Sequence, residues 1–200
     1  MKTRSLTLAL SALALATASF VASAADHVFS NTAQLQVESG NATPYPSNIP
    51  VSGLGGNITQ VTVTLHGFSS GDLYSPLLLL VAPGGQKIML TNGAPNGTKS
   101  TSNATWTFSA SGVAVPSGAV PSGTYLPSSF FPDTPPPPAP AGPYSTDLTT
   151  INGAAAGQNG SWELYVRNFT GGINQTALTI ASGWTLNITD DVPDTTCASE

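Results

Sequence analysis

The sequence predicts an all-β fold, a jelly-roll β-sandwich of about eight strands. Three observations predict it. Apolar and polar residues alternate with a period of two over several short segments. Glycine (20 residues) and proline (17) punctuate the intervals between those segments. Charged residues make up only 8% of the chain, against about 25% in an ordinary soluble domain. The shortage falls on Glu, Lys and Arg, which are good helix formers. No long stretch carries a helical period.

The chain divides into three parts. Met1-Lys2-Thr3-Arg4 is positively charged, Leu6 to Val21 is apolar, and Ala22-Ser23-Ala24 has small-residue cleavage spacing. Residues 1–24 therefore read as a cleaved secretory signal peptide. The apolar run is short of the ~20 residues that span a bilayer, so the chain is not expected to span a membrane after cleavage. Residues 25–189 form one domain, and residues 190–200 read as an acidic, mobile tail. Removing the signal leaves three basic residues, Lys87, Lys99 and Arg167, against ten acids. Such a surface has no footprint for nucleic acid, because phosphate binding needs clustered cations. The lone Cys197 cannot form an internal disulfide, so the exported domain is expected to rely on its core, on metal, or on both.

The strands follow in order. Val28-Phe29 and Leu35–Val37 are weak candidates near the start. From Asn57 to His66, Val61, Val63 and Leu65 share one face, while Thr62, Thr64 and His66 share the other. Leu77 to Val81 is continuously apolar, the mark of a central strand covered on both faces. Pro83-Gly84-Gly85 turns it into the strand Gln86–Thr91, a hairpin. Thr105–Ser109 is another strand. In Ser161–Asn168, Trp162, Leu164 and Val166 face the core. In Gly183–Thr189, Trp184, Leu186 and Ile188 do the same. These six residues are the predicted core anchors.

The stretch from 112 to 144 differs. It holds Pro132, Pro135 to Pro138, Pro140 and Pro143. Proline cannot donate to a β-ladder, so the stretch reads as a long surface excursion with polyproline II character.

Four segments carry a family resemblance. They are Asn41-Ala42-Thr43-Pro44-Tyr45-Pro46-Ser47, the hairpin Leu80-Val81-Ala82-Pro83-Gly84-Gly85-Gln86-Lys87, Ala139-Pro140-Ala141-Gly142-Pro143-Tyr144, and the closing pair Asn159 to Val166 with Gly183-Trp184-Thr185-Leu186. In this order and spacing the chain resembles the P domain (Homo B domain) found beside subtilisin-like proprotein convertases. More closely, it resembles the bacterial secreted modules related to it. The likeness spans Phe29 to Ile188. It implies a galactose-binding-like jelly roll and a non-catalytic module that stabilises or positions a neighbouring protease, or sits in surface proteins.

The resemblance also implies acids around the hairpin, of the type DDLD, that can supply the six to eight oxygens Ca²⁺ takes. Here the ungapped match puts Tyr74-Ser75-Pro76-Leu77 in that position. Asn92 and Asn168 stand where later acids are expected, and Asp72 is the one nearby acid. Asp72, Asn92 and Asn168 are the candidate metal ligands. They make a poor Ca²⁺ site, and no cofactor is expected.

No catalytic constellation is legible. His27 lies beside the cleavage site and His66 falls on a polar strand face. There is no H-E-x-x-H. Asp133, Asp147 and Glu163 are scattered, and Asp190-Asp191 falls in the tail. Asn-x-Ser/Thr occurs at Asn41, Asn57, Asn96, Asn103, Asn159, Asn168, Asn174 and Asn187. With a bacterial resemblance these read as turn and strand residues rather than glycan acceptors.

The expected function is that of a secreted or cell-surface, non-enzymatic module with a structural or protein-interaction role, whose partner is a secreted protease or a surface protein. The alternative is a carbohydrate-binding module at the cell surface. It would be carried by Trp106, or by an exposed aromatic pair such as Tyr74 with Tyr125 or Phe130 with Phe131.

Overall fold

The computed structural model describes residues 24–94, 100–169 and 177–192. Apart from Ala24, the segment read as a signal peptide lies outside the described residues. So do Asn96, Asn174, Cys197 and residues 193–200 of the tail.

Fourteen strands occur among the described residues. The first seven are β1 (Ala25–Asn31), β2 (Leu35–Val37), β3 (Gly40–Asn41), β4 (Ser47–Val51), β5 (Asn57–Ser70), β6 (Pro76–Val81) and β7 (Lys87–Asn92). There follow β8 (Thr101–Val113), β9 (Gly123–Tyr125), β10 (Ser128–Ser129), β11 (Gly153–Ala154), β12 (Gly160–Asn168), β13 (Leu178–Ile180) and β14 (Trp184–Asp190). Two short 3-10 turns, Leu148–Ile151 and Ala155–Gln158, flank β11. Eight of these strands are five residues or longer. The other six are two- or three-residue pieces, too short to leave a period in the sequence.

The strands build two packed sheets, so the fold is a β-sandwich. The eight-stranded sheet is organised around β5, which pairs antiparallel with β14 and β13 on one flank and with β8 on the other. β1 adds to β14, β2 to β13, and β9 runs parallel to β8. The six-stranded sheet runs β10-β7-β6-β12, with β3 and β4 both on the outer flank of β12.

The alternation in β5, β12 and β14 decides what lies between the sheets. Val61, Val63, Leu65, Trp184, Leu186 and Ile188 enter from one side. Leu78, Leu80, Trp162, Leu164 and Val166 meet them from the other. All three tryptophans are buried. Burying an aromatic side chain removes ~150–250 Å² from water, so such residues dominate a core of this size. Gly183 opens β14 in the left-handed region (φ 71°), where a Cβ would collide with the backbone carbonyl of Asn31. The turn into that strand therefore requires glycine.

The continuously apolar β6 has a second face to bury. Leu77 and Leu79 point away from the main core and join Met89, Ala139 and Tyr165 in a separate cluster. The proline-rich stretch supplies the cover. Tyr45 Oη donates to the carbonyl of Pro136 (3.2 Å), Tyr144 Oη to that of Pro140 (2.9 Å), and Lys87 Nζ to that of Ala141 (2.6 Å). Ser145 then exchanges backbone bonds with Met89 and Lys87. The expectation of a surface excursion over 112–144 is corrected accordingly. Its first residues complete β8, the proline-free pieces β9 and β10 pair with the sheets, and the prolines form a strap over the six-stranded sheet. Proline suits that place because a cover packs by its rings and needs no ladder donor.

The domain also continues past residue 189. Asp190 is the last residue of β14 and fully buried. Its carboxylate accepts from the backbone N–H groups of Gly55 (3.0 Å) and Val192 (3.1 Å) and contacts His27 Nε2 at 3.0 Å. A buried carboxylate is tolerated when its oxygens are so satisfied. The partners lie far away in the chain, which is why an acid here looked like tail.

Candidate functional site

The three candidate metal ligands gather at one end of the six-stranded sheet. Register places Asn168 opposite Pro76 and Asn92 opposite Leu77, where β6 begins and its neighbours end. Asp72 sits in the turn before β6, with its carbonyl accepting from Ser70 Oγ (2.8 Å) and Ser75 N (3.3 Å).

Each of the three has a structural task there. Asp72 Oδ1 accepts from the backbone N–H of Tyr74 at 2.9 Å and so fixes the turn. Asn92 Nδ2 donates to the carbonyls of Phe131 (2.8 Å) and Asp133 (2.9 Å). Asn168 Nδ2 donates to those of Val37 (3.2 Å) and Glu38 (3.0 Å). A cation would draw carbonyl oxygens together by its charge. Here amide NH₂ groups hold them by hydrogen bonds. Among the described residues no group of three or more His, Cys, Asp or Glu comes together to hold a metal. Because Asn168 is buried and its amide nitrogen is engaged, this Asn-x-Ser/Thr position cannot carry a glycan in the folded protein.

The same end of the molecule carries exposed aromatic rings. Tyr74 and Phe131 lie with ring centroids 4.8 Å apart, tilted by 37°. Tyr74 is 42% exposed and the adjacent Phe130 46%. Phe131 lies over Gly93, where a Cβ would collide with its ring. Ser129 Oγ donates to the Phe131 carbonyl (3.3 Å), and Phe130 N donates to that of Asn92 (3.0 Å). The aromatic pair foreseen in sequence is thus regrouped. Tyr125 is buried, its ring centroid 5.1 Å from that of Trp106. Trp106 is buried as well, among Phe68, Phe108 and Tyr125, so it is no sugar platform. The pairing of Tyr74 with Phe131 had no sequence signal, because it depends on how the strap returns to the end of β7.

A second polar-aromatic group lies under and beside the strap. Tyr165 Oη donates to Glu163 Oε2 at 2.8 Å, and Tyr45 meets Tyr165 edge to face at 5.0 Å. Arg167 places its guanidinium 4.6 Å over the Phe169 ring, a cation–π contact. Burial pushes the Tyr45 phenol up to about 12, against a smaller lowering by the Arg167 charge. Burial also raises Tyr165, with the Glu163 hydrogen bond adding to it, and raises Tyr144 and Tyr125. A shallow cleft of about 500 Å³ runs between Lys87, Tyr144, Ser145 and Thr150.

The histidines tie strands together. His66 Nε2 is 2.8 Å from Thr185 Oγ1, which is 3.0 Å from Ser30 Oγ, so the bonds run across three strands of the eight-stranded sheet. A catalytic triad needs a carboxylate on the second imidazole nitrogen, and the only side-chain hydrogen bond of His66 among the described residues is the one to Thr185. His27 has its carboxylate in Asp190, and that carboxylate is committed to closing the sandwich.

Comparison with family models, with curated proteins and with solved structures gives no match.

Proposed function

We propose that the chain is a secreted, non-catalytic β-sandwich module, similar to the P domain, that acts by binding. Its partner on this reading is a secreted subtilisin-like protease or a surface protein. The observation that carries it is the use made of the polar groups. Asp72, Asn92, Asn168, Asp190 and both histidines spend their bonds on backbone or on neighbouring strands. The segments that carry the resemblance supply the frame: β6, β7 and β12 lie side by side in one sheet, and β14 faces them from the other.

Two assays on the purified chain test the reading. Incubation with casein should yield no fragments, and co-purification from the producing cell's medium should recover an identified serine protease or surface protein. Cleavage of casein by the chain alone would overturn it.

A second reading, a carbohydrate-binding module at the cell surface, is favoured by one specific observation. Tyr74 and Phe131 stack where the turn before β6 meets the residues after β10, with Tyr74 and Phe130 exposed, and a jelly roll can take a sugar at such a loop edge.

A further inference from the structure

We propose that Tyr74 and Phe131, with Phe130 at their side, form a binding platform for a neutral polysaccharide. The proposal rests on the second reading above, that of a carbohydrate-binding module, and adds the residues of the site and the neutral class of its ligand.

The rings are exposed yet held. Tyr74 and Phe130 are the two exposed aromatic residues among the described residues. Asp72 fixes the backbone of Tyr74, and Gly93 admits the ring of Phe131. Asn92 grips the carbonyls of residues 131 and 133. An aromatic residue ordered before its ligand arrives loses little further entropy on binding, so its contact area converts more fully into affinity.

The chemistry around the rings selects the ligand. An aromatic face carries partial negative charge, and the C–H face of a pyranose meets it with partial positive charge. Two residues past Phe131, with its carbonyl held by the same Asn92 amide, Asp133 is exposed, and its carboxylate makes no side-chain hydrogen bond among the described residues. A free carboxylate accepts from sugar hydroxyls, a charge-assisted bond. Proline-rich peptides also stack on aromatic rings and can take the Tyr74 hydroxyl on a carbonyl, but they are poor in donors for the Asp133 carboxylate, whereas sugar hydroxyls serve both groups. The described cations do not reach for an anionic ligand here: Lys87 bonds Ala141 and Arg167 sits on Phe169.

Size points the same way. Two half-exposed aromatic side chains present roughly 200 Å², against about 800 Å² per partner in a stable protein interface. That area suits one or two sugar rings.

The test is native gel electrophoresis of the full chain through gels holding xylan, mixed-linkage β-glucan or galactomannan, with a proline-rich peptide titrated in parallel. At least one polysaccharide should retard the protein. Tyr74→Ala should weaken that retention about five- to tenfold, while Tyr74→Phe retains it, and Asp133→Asn should weaken it at unchanged melting temperature. Three results would overturn the proposal: no retardation in any gel, equal retardation of the Tyr74→Ala protein, or binding of the peptide alone. Release of new reducing ends would instead overturn the non-catalytic reading.

Discussion

The indole N–H of Trp184 donates to Ser47 Oγ at 3.0 Å, joining the eight-stranded sheet to the six-stranded one through the buried interior. Ser47 Oγ also accepts from Asn31 Nδ2 at 3.2 Å, so one hydroxyl serves β14, β4 and the end of β1. Ser47→Ala leaves both donors without that acceptor. We expect a loss of about 1–3 kcal/mol in urea denaturation. A double-mutant cycle with Trp184→Phe should show the two changes to be strongly non-additive. Additivity would mean that the bond contributes nothing.

Trp162 closes the same core from the opposite sheet, with its own N–H satisfied by the carbonyl of Gln158 at 2.9 Å. Trp162→Ala should cost about 3–5 kcal/mol, read as a lower denaturation midpoint at unchanged slope. A loss under about 1 kcal/mol would place the site among positions that can collapse around the missing ring.

Calcium should do little. Millimolar Ca²⁺ is expected to move the melting temperature by less than about two degrees, since only binding to the native state stabilises by mass action. Asn168→Asp should destabilise by about 1–3 kcal/mol, because the new carboxylate would face the carbonyls of Val37 and Glu38 in place of a donor. A large calcium-dependent rise in the unaltered protein would contradict this account of the amides.

The tyrosines predict a sensitivity to alkali. Tyr45 has its folded value raised from 10.0 to about 12, and Tyr125, Tyr144 and Tyr165 are shifted the same way by burial. With the folded value above the unfolded one, the native state holds more protons between the two. Stability then falls as pH rises. The phenols should make no contribution to pH dependence below pH 10 and a progressive loss from pH 10 through about 12. Absorbance of phenolate at 295 nm should lag the free-tyrosine titration until the protein unfolds. A titration matching free tyrosine in folded protein would refute the packing under the strap.

Much of the frame was legible because a strand with one wet face writes its orientation into every second residue. Val61, Val63 and Leu65 announced the inner face of β5, and the unbroken run Leu77 to Val81 announced a strand buried twice. What covers that second face was not legible, because proline rings pack without a period. The end of the domain was hidden for a related reason. Asp190 is acceptable inside only because His27 and Gly55 reach it from distant parts of the chain. Asp72, Asn92 and Asn168, singled out by the family resemblance, do lie at one sheet end. Residue type alone could not say that the two amides would point their nitrogens at carbonyls.

The strap over the six-stranded sheet has a consequence for resistance to proteolysis. Endopeptidases read their substrates as extended strands, through backbone hydrogen bonds that proline cannot donate. In the segment Pro135 to Pro143 three carbonyls are already engaged, that of Pro136 by Tyr45 and Ala139, that of Pro140 by Tyr144 and that of Ala141 by Lys87. A digestive enzyme meeting this face finds few bonds it can grip. The apolar floor of Leu77 and Leu79 thus stays sealed by the part of the chain least suited to being cut.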